Sequence, residues 1–211
     1  MKTPIKILAG LLIAITLSAC AAPPSATRSA MPEAPIMGRA QTDVTIDSFT
    51  VSVPRSLEVS ERNLYYPRGD IVWRGDPMGD RHAQIQAIVE AGLRNAAPRI
   101  KGTRPVRMDV QVTRFHALSE KARYSVGGVH DIDFKYRLVD VQTGRQIAPT
   151  KDVSADLQGL AGQAAIASDA RGVTQKSRII AHLTRVFIDE LTTPRGHQNA
   201  DLGLLQAINE L

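Results

Sequence analysis

The sequence of 211 residues predicts a single α+β domain, in which an antiparallel sheet has two helices packed on one face. Three segments alternate apolar and polar residues strictly, as half-buried strands do. Two longer segments, one before these strands and one after them, repeat apolar residues at helical spacing. The sequence shows no repeat of solenoid length. We therefore expect one α+β domain over residues 42–193.

The first twenty residues have the form of a bacterial lipoprotein signal. Lys2 and Lys6 precede an apolar run, and Leu17-Ser18-Ala19-Cys20 resembles a lipobox that contains the only cysteine of the chain. The run is shorter than the roughly 20 apolar residues of a membrane-spanning helix, and no stop-transfer charges follow it. We expect residues 1–19 to be removed and Cys20 to carry acyl chains such as palmitate, which anchor the protein in the lipid bilayer.

The residues that follow the signal restrict the location and the class of partner. Ala21 stands where many lipoproteins of the inner membrane carry aspartate, which favours the periplasmic face of the outer membrane. Residues 20–41 are rich in small residues and proline, as expected of a flexible tether. Loss of two signal lysines lowers the formal net charge from +5 to +3, which does not indicate nucleic-acid binding. With Cys20 acylated, disulfides and thiol catalysis are excluded.

The first part of the domain contains short strands and a helix. Val44 to Val53 alternate with a slip near Asp47-Ser48, and shorter strands are expected at residues 57–59 and 71–73. Asp76-Pro77 has the form of a helix N-cap followed by proline at the first helical position. The apolar stripe that follows predicts a helix that ends at Pro98.

The second part predicts three strands, a helix and a tail. The strands are centred on residues 106–112, 132–138 and 153–157. If Val112 pairs with Phe134, then Asp109 lies opposite Arg137 on the outer face of the sheet. The last helix covers residues 173–191. Residues 194–211 form either a short helix docked on the domain, which is the commoner outcome, or a detachable segment that binds a partner.

One stretch of sequence resembles a known family. The run Leu157-Gln158-Gly159-Leu160-Ala161-Gly162-Gln163-Ala164-Ala165-Ile166, continued by Gly172-Val173-Thr174-Gln175-Lys176, resembles an uncharacterised family of bacterial lipoproteins from about Ser48 to Leu191. That family has no assigned activity or site residues. The tethered β-α-β-β-β-α order is also similar, in topology, to auxiliary lipoproteins of lipid-transport ABC systems and of outer-membrane assembly. Such a likeness implies a fold, and fold does not determine function.

The sequence contains no recognisable catalytic motif. It has no Walker-type loop, nucleophile elbow, His-Glu-x-x-His or Cys-x-x-Cys pattern, so we predict no catalytic residue and no cofactor. His116 and His130 would face each other across the predicted hairpin, as two ligands of one metal ion do, although a site needs three or four. A metal-dependent or hydrolytic envelope enzyme that uses these two histidines is the alternative hypothesis.

The candidate binding residues are aromatic and guanidinium side chains, which are enriched at binding hot spots. Most lie between residues 62 and 74, where they either form a binding surface or pack under the first helix. Two Arg-Gly-Asp triplets in this region are interpreted as turns. We expect a non-enzymatic lipoprotein that binds an envelope protein or lipid, and no nucleic acid, through the following residues: Tyr65, Tyr66, Arg68, Trp73, Arg74 and Tyr124.

Overall fold

The computed structural model describes residues 43–204 and 206, so the signal sequence, Cys20 and the predicted tether lie outside it. These residues form one α+β domain around a six-stranded sheet. A single 3-10 turn, Ala97–Arg99, follows the first helix. The elements in chain order are β1 (Val44–Ser52), β2 (Ile71–Val72), α1 (Arg81–Ala96), β3 (Arg104–His116), α2 (Glu120–Arg123), β4 (Val129–Asp140), β5 (Lys151–Ser154), β6 (Leu157–Gln158), α3 (Gly162–Ala170) and α4 (Gln175–Thr192).

The sheet is mixed, so the prediction of a purely antiparallel sheet is wrong. Both β1 and β2 pair with β3 in parallel, whereas β4 is antiparallel to β3, and β5 and β6 are antiparallel to β4. The reason is the position of α1 in the chain. This helix returns the chain to the end of the sheet where β1 begins, and strands joined by such a crossover run in the same direction.

The register of the long hairpin β3–β4 agrees with the sequence pattern over most of its length. Val112 lies opposite Phe134 and Asp109 opposite Arg137, as predicted. Past Val112 the register shifts, so that Asp131 lies opposite His116. The slip expected near Asp47 is likewise present, as a register shift in β1. Both irregularities have the form of β-bulges, which bend a strand locally.

Helices α1 and α4 pack against each other and cover one face of the sheet. A Cβ placed on Gly92 of α1 would lie 3.0 Å from the Cβ of Leu183, so glycine permits the close approach of the two helices. Phe187 of α4 packs on Phe134 of β4, with 5.1 Å between ring centroids. Two shorter helices, α2 and the alanine-rich α3, complete the fold.

The beginnings of the two long helices differ in how well the sequence predicted them. Thr174 caps α4, and its side chain accepts a hydrogen bond from the backbone of Ser177. The cap of α1 is Asp80, so the prediction of Asp76 is wrong. Asp76 instead accepts hydrogen bonds from Trp73 Nε1 at 2.9 Å and Lys176 Nζ at 2.8 Å. None of the helices described is long and apolar enough to cross a bilayer.

Candidate functional site

One end of the sheet gathers most of the predicted binding residues. We call it the tyrosine end and define it as residues 61–68, residues 119–126 and residues 169–176. It lies where β3 finishes and β4 begins. Val44, the first strand residue, pairs with Arg104 at the opposite end of the sheet. The chain therefore enters the domain at one end of the sheet and displays its tyrosines at the other.

Residues 61–68 are fixed on α2 by hydrogen bonds. Ser119 Oγ donates to the carbonyl of Leu64 at 2.5 Å, and the backbone N–H of Lys121 donates to Asn63 Oδ1 at 2.8 Å. The ammonium of Lys121 lies 4.5 Å from the centroid of the Tyr65 ring, within the range of a cation–π contact. This loop therefore has a defined conformation next to α2.

Three tyrosines of this end are open to solvent. Tyr65, Tyr66 and Tyr124 are 44%, 47% and 47% exposed, and the neighbouring Leu64 and Val126 are exposed as well. Single exposed apolar residues are common on protein surfaces, but a contiguous group marks an interaction site. The structure thus leaves three of the six predicted binding residues exposed at the same end of the sheet.

The other predicted residues divide between surface and core. Arg68 is exposed, and Arg74 donates to Glu120 at 3.0 Å. Trp73 is completely buried and packs edge-on against Phe115, with 5.8 Å between ring centroids. Trp73 therefore cannot contact a partner, and its assignment as a binding residue is corrected to one in the core.

An open cavity of about 270 Å³ lies beside Tyr124, between α2, α3 and the start of α4. Arg74, Arg123 and Lys176 contribute cations to its wall, and Glu120 and Asp169 contribute carboxylates. The first turn of α4 also borders the cavity, and the N-terminus of a helix presents free backbone N–H groups and a partial positive charge. The cavity therefore combines donors and acceptors within a small volume.

Asp169 binds both a cation and a tyrosine of this end. Arg123 Nη2 donates to Asp169 Oδ1 at 2.6 Å, and the Tyr124 hydroxyl donates to Asp169 Oδ2 at 3.1 Å. Burial and the hydrogen bond to Asp169 raise the pKa of Tyr124. The pKa of Arg178, in the first turn of α4, is lowered by burial and by the charge of Arg123. Positive charge is therefore crowded at this end of α4.

Gln175 is the first residue of α4 and is only 3% exposed. Its Nε2 donates to the carbonyl of Leu118 at 3.4 Å, while its Oε1 is buried and accepts no hydrogen bond from any residue that the structure describes. A carbonyl can only accept, so the amide nitrogen must face Leu118, and the oxygen lies on the other side of the amide, where solvent does not reach it. Sequence reasoning missed this residue, although Gln175 continues the apolar stripe of Ile179 and Leu183 by one helical turn.

A second buried polar group lies toward the other end of α4. Glu190 Oε1 accepts from the Tyr136 hydroxyl at 2.7 Å and from Lys151 Nζ at 2.5 Å, and Oε2 accepts from the backbone of His197 at 2.8 Å. Burial and the Glu190 carboxylate raise the pKa of Tyr136 above its usual range. Glu190 also stands on the apolar stripe of α4, three residues after Phe187, which is the sequence signal for a buried acid.

The tail after α4 contacts the domain near this group. Asn199 Nδ2 and Gln206 Nε2 donate to Asp156 Oδ2 at 3.0 and 2.6 Å. Leu204 is largely exposed between them. In the part of the tail that the structure describes, docking on the domain is thus the observed arrangement.

The two histidines of the alternative hypothesis do not form a pair. The shift of register places Asp131, not His130, opposite His116, so the two rings point to opposite faces of the sheet. His116 Nε2 donates to the carbonyl of Pro67 at 2.7 Å, and His130 Nδ1 accepts from the backbone of Leu118 at 3.2 Å. Over residues 43–204 and 206, no group of three His, Cys, Asp or Glu side chains is arranged to hold a metal ion.

With this geometry established, the chain can be compared with known proteins. Residues 44–207 match the model of a family of unknown function, DUF6778. The chain belongs to this family. The match to DUF6778 covers every helix and strand described above and extends into the tail. No curated protein matches the chain.

Several solved structures are similar to part of the chain. One is a DUF330 protein from Xanthomonas campestris, 13% identical with a TM-score of 0.37, which covers 78% of this chain and 87% of that chain. A candidate lipoprotein from Caulobacter crescentus is 19% identical with a TM-score of 0.29, covering 59% and 85%. The PelC dodecamer from Paraburkholderia phytofirmans is 12% identical with a TM-score of 0.27, covering 72% and 93%. At these identities and TM-scores, the likenesses do not indicate a function for this chain.

Proposed function

We propose that this chain is a non-enzymatic envelope lipoprotein, anchored through acylated Cys20, that binds a protein partner with its tyrosine end. The observation that carries the proposal is the group of three exposed tyrosines at one end of the sheet. In the cell this corresponds to an auxiliary component of an envelope assembly or transport complex. The lipobox supports the anchor, and Ala21 supports the periplasmic face of the outer membrane.

The tyrosines are suited to bind because they are ordered before a partner arrives. Tyr65 packs under Lys121, and the Tyr124 hydroxyl is bound to Asp169. A side chain already held in one conformation loses little entropy on association, so more of its contact energy appears as affinity. Aromatic residues with a polar tip are also the commonest hot-spot residues of protein interfaces.

Three cations at or beside this end form ion pairs with carboxylates. Arg74 is paired with Glu120, Arg123 with Asp169, and Lys176 with Asp76. Anionic headgroups attract clusters of four to eight basic residues whose charge is not compensated. Exposed Arg62, Arg68, Lys121 and Arg171 form no ion pair with any residue that the structure describes, so charge alone does not select a protein over a lipid surface. The choice of a protein partner rests on the exposed aromatic area and the hydrogen bonds, which are components of a protein interface.

The proposal is tested by site-specific photo-crosslinking in living cells. A photoreactive phenylalanine analogue is placed at Tyr66 or, as a control, at Val141. Both positions are 47% exposed, but Val141 follows β4 at the opposite end of the sheet. We expect a discrete crosslinked protein from position 66 and none of the same mass from position 141. This product should disappear when Tyr65 and Tyr124 are both changed to alanine.

Two results would contradict the proposal. One is the same crosslinked protein from both positions, because this would show that contact does not depend on the tyrosine end. The other is crosslinking from position 66 to lipid alone, which would identify the partner as the membrane surface. In both cases the amount of folded protein in the membrane fraction is compared with that of the unsubstituted chain.

A further inference from the structure

A groove between the two long helices is lined by arginines and, in the part of the chain that the structure describes, by no carboxylate. It has a volume of about 600 Å³ and lies between the end of α1 and the middle of α4, where Thr184 Oγ1 donates to the carbonyl of Gly92 at 3.4 Å. Exposed Arg94, Arg99 and Arg185 line what we call the arginine groove. Guanidinium groups bind phosphate oxygens through pairs of parallel hydrogen bonds, so the groove has the chemistry to bind phosphate groups.

The cations of this surface are available to a ligand. Arg99 and Arg185 form no ion pair with any residue at positions 43–204 or 206, and neither does exposed Lys101, two residues after Arg99. Arg94 approaches Glu90, one helical turn earlier, only to 4.0 Å. A contact of that length between partly exposed side chains contributes little, so it does not withdraw Arg94 from the groove.

Two other exposed carboxylates lie near these cations without lining the groove. Asp189 follows Arg185 by one helical turn. Asp43 precedes β1 and accepts hydrogen bonds from the backbone and the hydroxyl of Thr103 at 3.0 and 2.5 Å. These acids lower the net charge of the surroundings, whereas the groove itself remains positive. Binding there therefore depends on the arrangement of the arginines and not on the net charge of the domain.

The arginine groove lies toward the end of the sheet where the chain enters the domain. The carbonyl of Ile100 accepts a hydrogen bond from Thr45 Oγ1 at 3.2 Å, and Thr45 is the second residue of β1. Arg99 and Lys101, on either side of Ile100, therefore lie next to the start of β1. The exposed tyrosines are at the opposite end of the sheet.

An anchor at Cys20 would keep this end of the domain near a bilayer. Only residues 21–42 separate Cys20 from the first residue that the structure describes. A flexible chain of that length, which the composition predicts, has a root-mean-square span of about 25 Å, so the headgroups are within reach of the groove. Anchoring also raises the effective concentration of the membrane surface, so that contacts too weak to hold a free domain become sufficient.

We propose that the arginine groove binds the anionic phospholipid headgroups of the bilayer that holds the acyl chains, and that the domain docks there with its tyrosine end directed away from the membrane. This inference rests on the acylated anchor of the proposed function, but not on the partner of the tyrosine end. Basic residues strengthen attachment to an anionic leaflet only within about a Debye length of it. The end nearest the anchor is therefore the one that gains from its cations.

The test determines which end of the acylated chain touches a bilayer. In the mature chain Cys20 carries its thioether, so a cysteine introduced as Asn95→Cys in the groove, or as Tyr66→Cys, can be labelled selectively with a fluorophore. The chain is reconstituted into phosphatidylcholine vesicles that contain a headgroup nitroxide as quencher, with or without about one third phosphatidylglycerol. We expect phosphatidylglycerol to increase quenching at position 95 about threefold and to leave position 66 unchanged.

Charge-matched variants assign the effect to the groove. Arg99→Gln combined with Arg185→Gln removes two exposed cations from it, whereas Arg62→Gln combined with Arg171→Gln removes two exposed cations from the tyrosine end. The first pair should abolish the increase in quenching at position 95, and the second pair should preserve it. Thermal unfolding of both double variants shows that each is folded, as expected for substitutions of exposed side chains.

Three results would overturn the inference. Equal quenching at positions 95 and 66 would show that neither end is preferred. A position 95 that does not respond to phosphatidylglycerol would show that anionic headgroups are not the ligand. The same loss from both double variants would show that net charge acts and not the groove.

The crosslinking experiment separates this inference from the proposed function. If position 66 captures one protein while position 95 does not respond to phosphatidylglycerol, the inference fails and the proposed function stands. If position 95 responds and position 66 captures no defined protein, the partner of the tyrosine end is wrong and the membrane contact stands. Mass spectrometry of the purified chain detects the acyl groups, and their absence would overturn both.

Discussion

Helix α4 buries a polar side chain near each end, and the two side chains differ in how many hydrogen-bond partners the protein provides. Glu190 is surrounded by three donors that belong to the protein: a tyrosine hydroxyl, a lysine ammonium and a backbone N–H. Gln175 has one long hydrogen bond and an oxygen with no partner among the described residues. Both residues interrupt the same apolar stripe. A polar residue in such a stripe thus has either a full set of hydrogen-bond partners or an incomplete one, and only the contacts made in the folded chain distinguish the two.

The largest expected effect comes from removing the side chain with the full set of partners. We expect Glu190→Ala to lower the free energy of unfolding by about 3 kcal/mol, because Tyr136, Lys151 and the His197 N–H lose a buried partner together. Asp169→Ala, near the start of α4, should cost about 1 kcal/mol, since its ion pair with Arg123 is partly solvated. Urea denaturation at pH 7.5 measures both values. An equal loss of unfolding free energy in Glu190→Ala and Asp169→Ala would contradict this difference between the two ends of α4.

An intermediate effect is expected from protonation near the start of α4. Burial, and then the charges of Arg178 and Arg123, lower the pKa of His130 to about 3. The unfolded chain, with a histidine pKa of about 6.5, therefore binds a proton more readily than the folded chain between pH 6.5 and pH 3. The stability that the neutral, buried His130 contributes is fully present above pH 6.5 and is lost as the pH falls toward 3.

This loss can be isolated by substitution. Between pH 7.5 and pH 5, protonation of His130 should lower the free energy of unfolding by about 2 kcal/mol. Over the same pH range, the free energy of unfolding of His130→Gln should therefore fall by about 2 kcal/mol less than that of the unsubstituted chain. Half-buried His182, whose pKa is lowered to about 4, is present in both proteins, so most of its contribution cancels in the comparison. The measurement is urea denaturation at the two pH values. Parallel losses in both proteins would show that His130 titrates normally.

The smallest effect on stability is expected from Gln175→Met, and its sign is opposite. Replacement of an unsatisfied buried acceptor by an apolar group of similar shape is neutral or stabilising, here by up to about 1 kcal/mol. The thermal midpoint should therefore stay the same or rise slightly. A clear decrease in stability would indicate that Gln175 supports the fold instead.

The sequence predicted the helices and the long hairpin because their patterns are local. The pairing of Val112 with Phe134 follows from strict alternation, and α4 from a wide apolar stripe. The parallel pairing of β1 with β3 was missed, although a helix between two strands indicates a crossover. The start of α1 was misplaced because Asp76-Pro77 has the form of a cap, whereas Asp76 pairs with Lys176, one hundred residues away.

The candidate site was predicted only in part for the same reason. Exposed Tyr65, Tyr66 and Tyr124 could be proposed from composition, but the burial of Trp73 in the same segment depends on Phe115 in another strand. Strict alternation placed His116 opposite His130. A register shift past Val112, which alternation alone does not show, places Asp131 there instead. The cavity itself is formed by three helices that meet only in the folded chain, so no local pattern indicates it.

The length of β3 has a consequence for where a partner is met. This strand has thirteen residues, which at the rise of a strand is about 40 Å, and it separates the tyrosine end from the end where the chain enters the domain. A Debye length at physiological salt is about 8 Å. If the chain is anchored at Cys20 and the domain points away from the bilayer, the binding proposed for the tyrosine end takes place several Debye lengths from the headgroups. The rate of encounter there is set by the charge of the partner and by ionic strength, and it does not respond to the surface potential of the membrane.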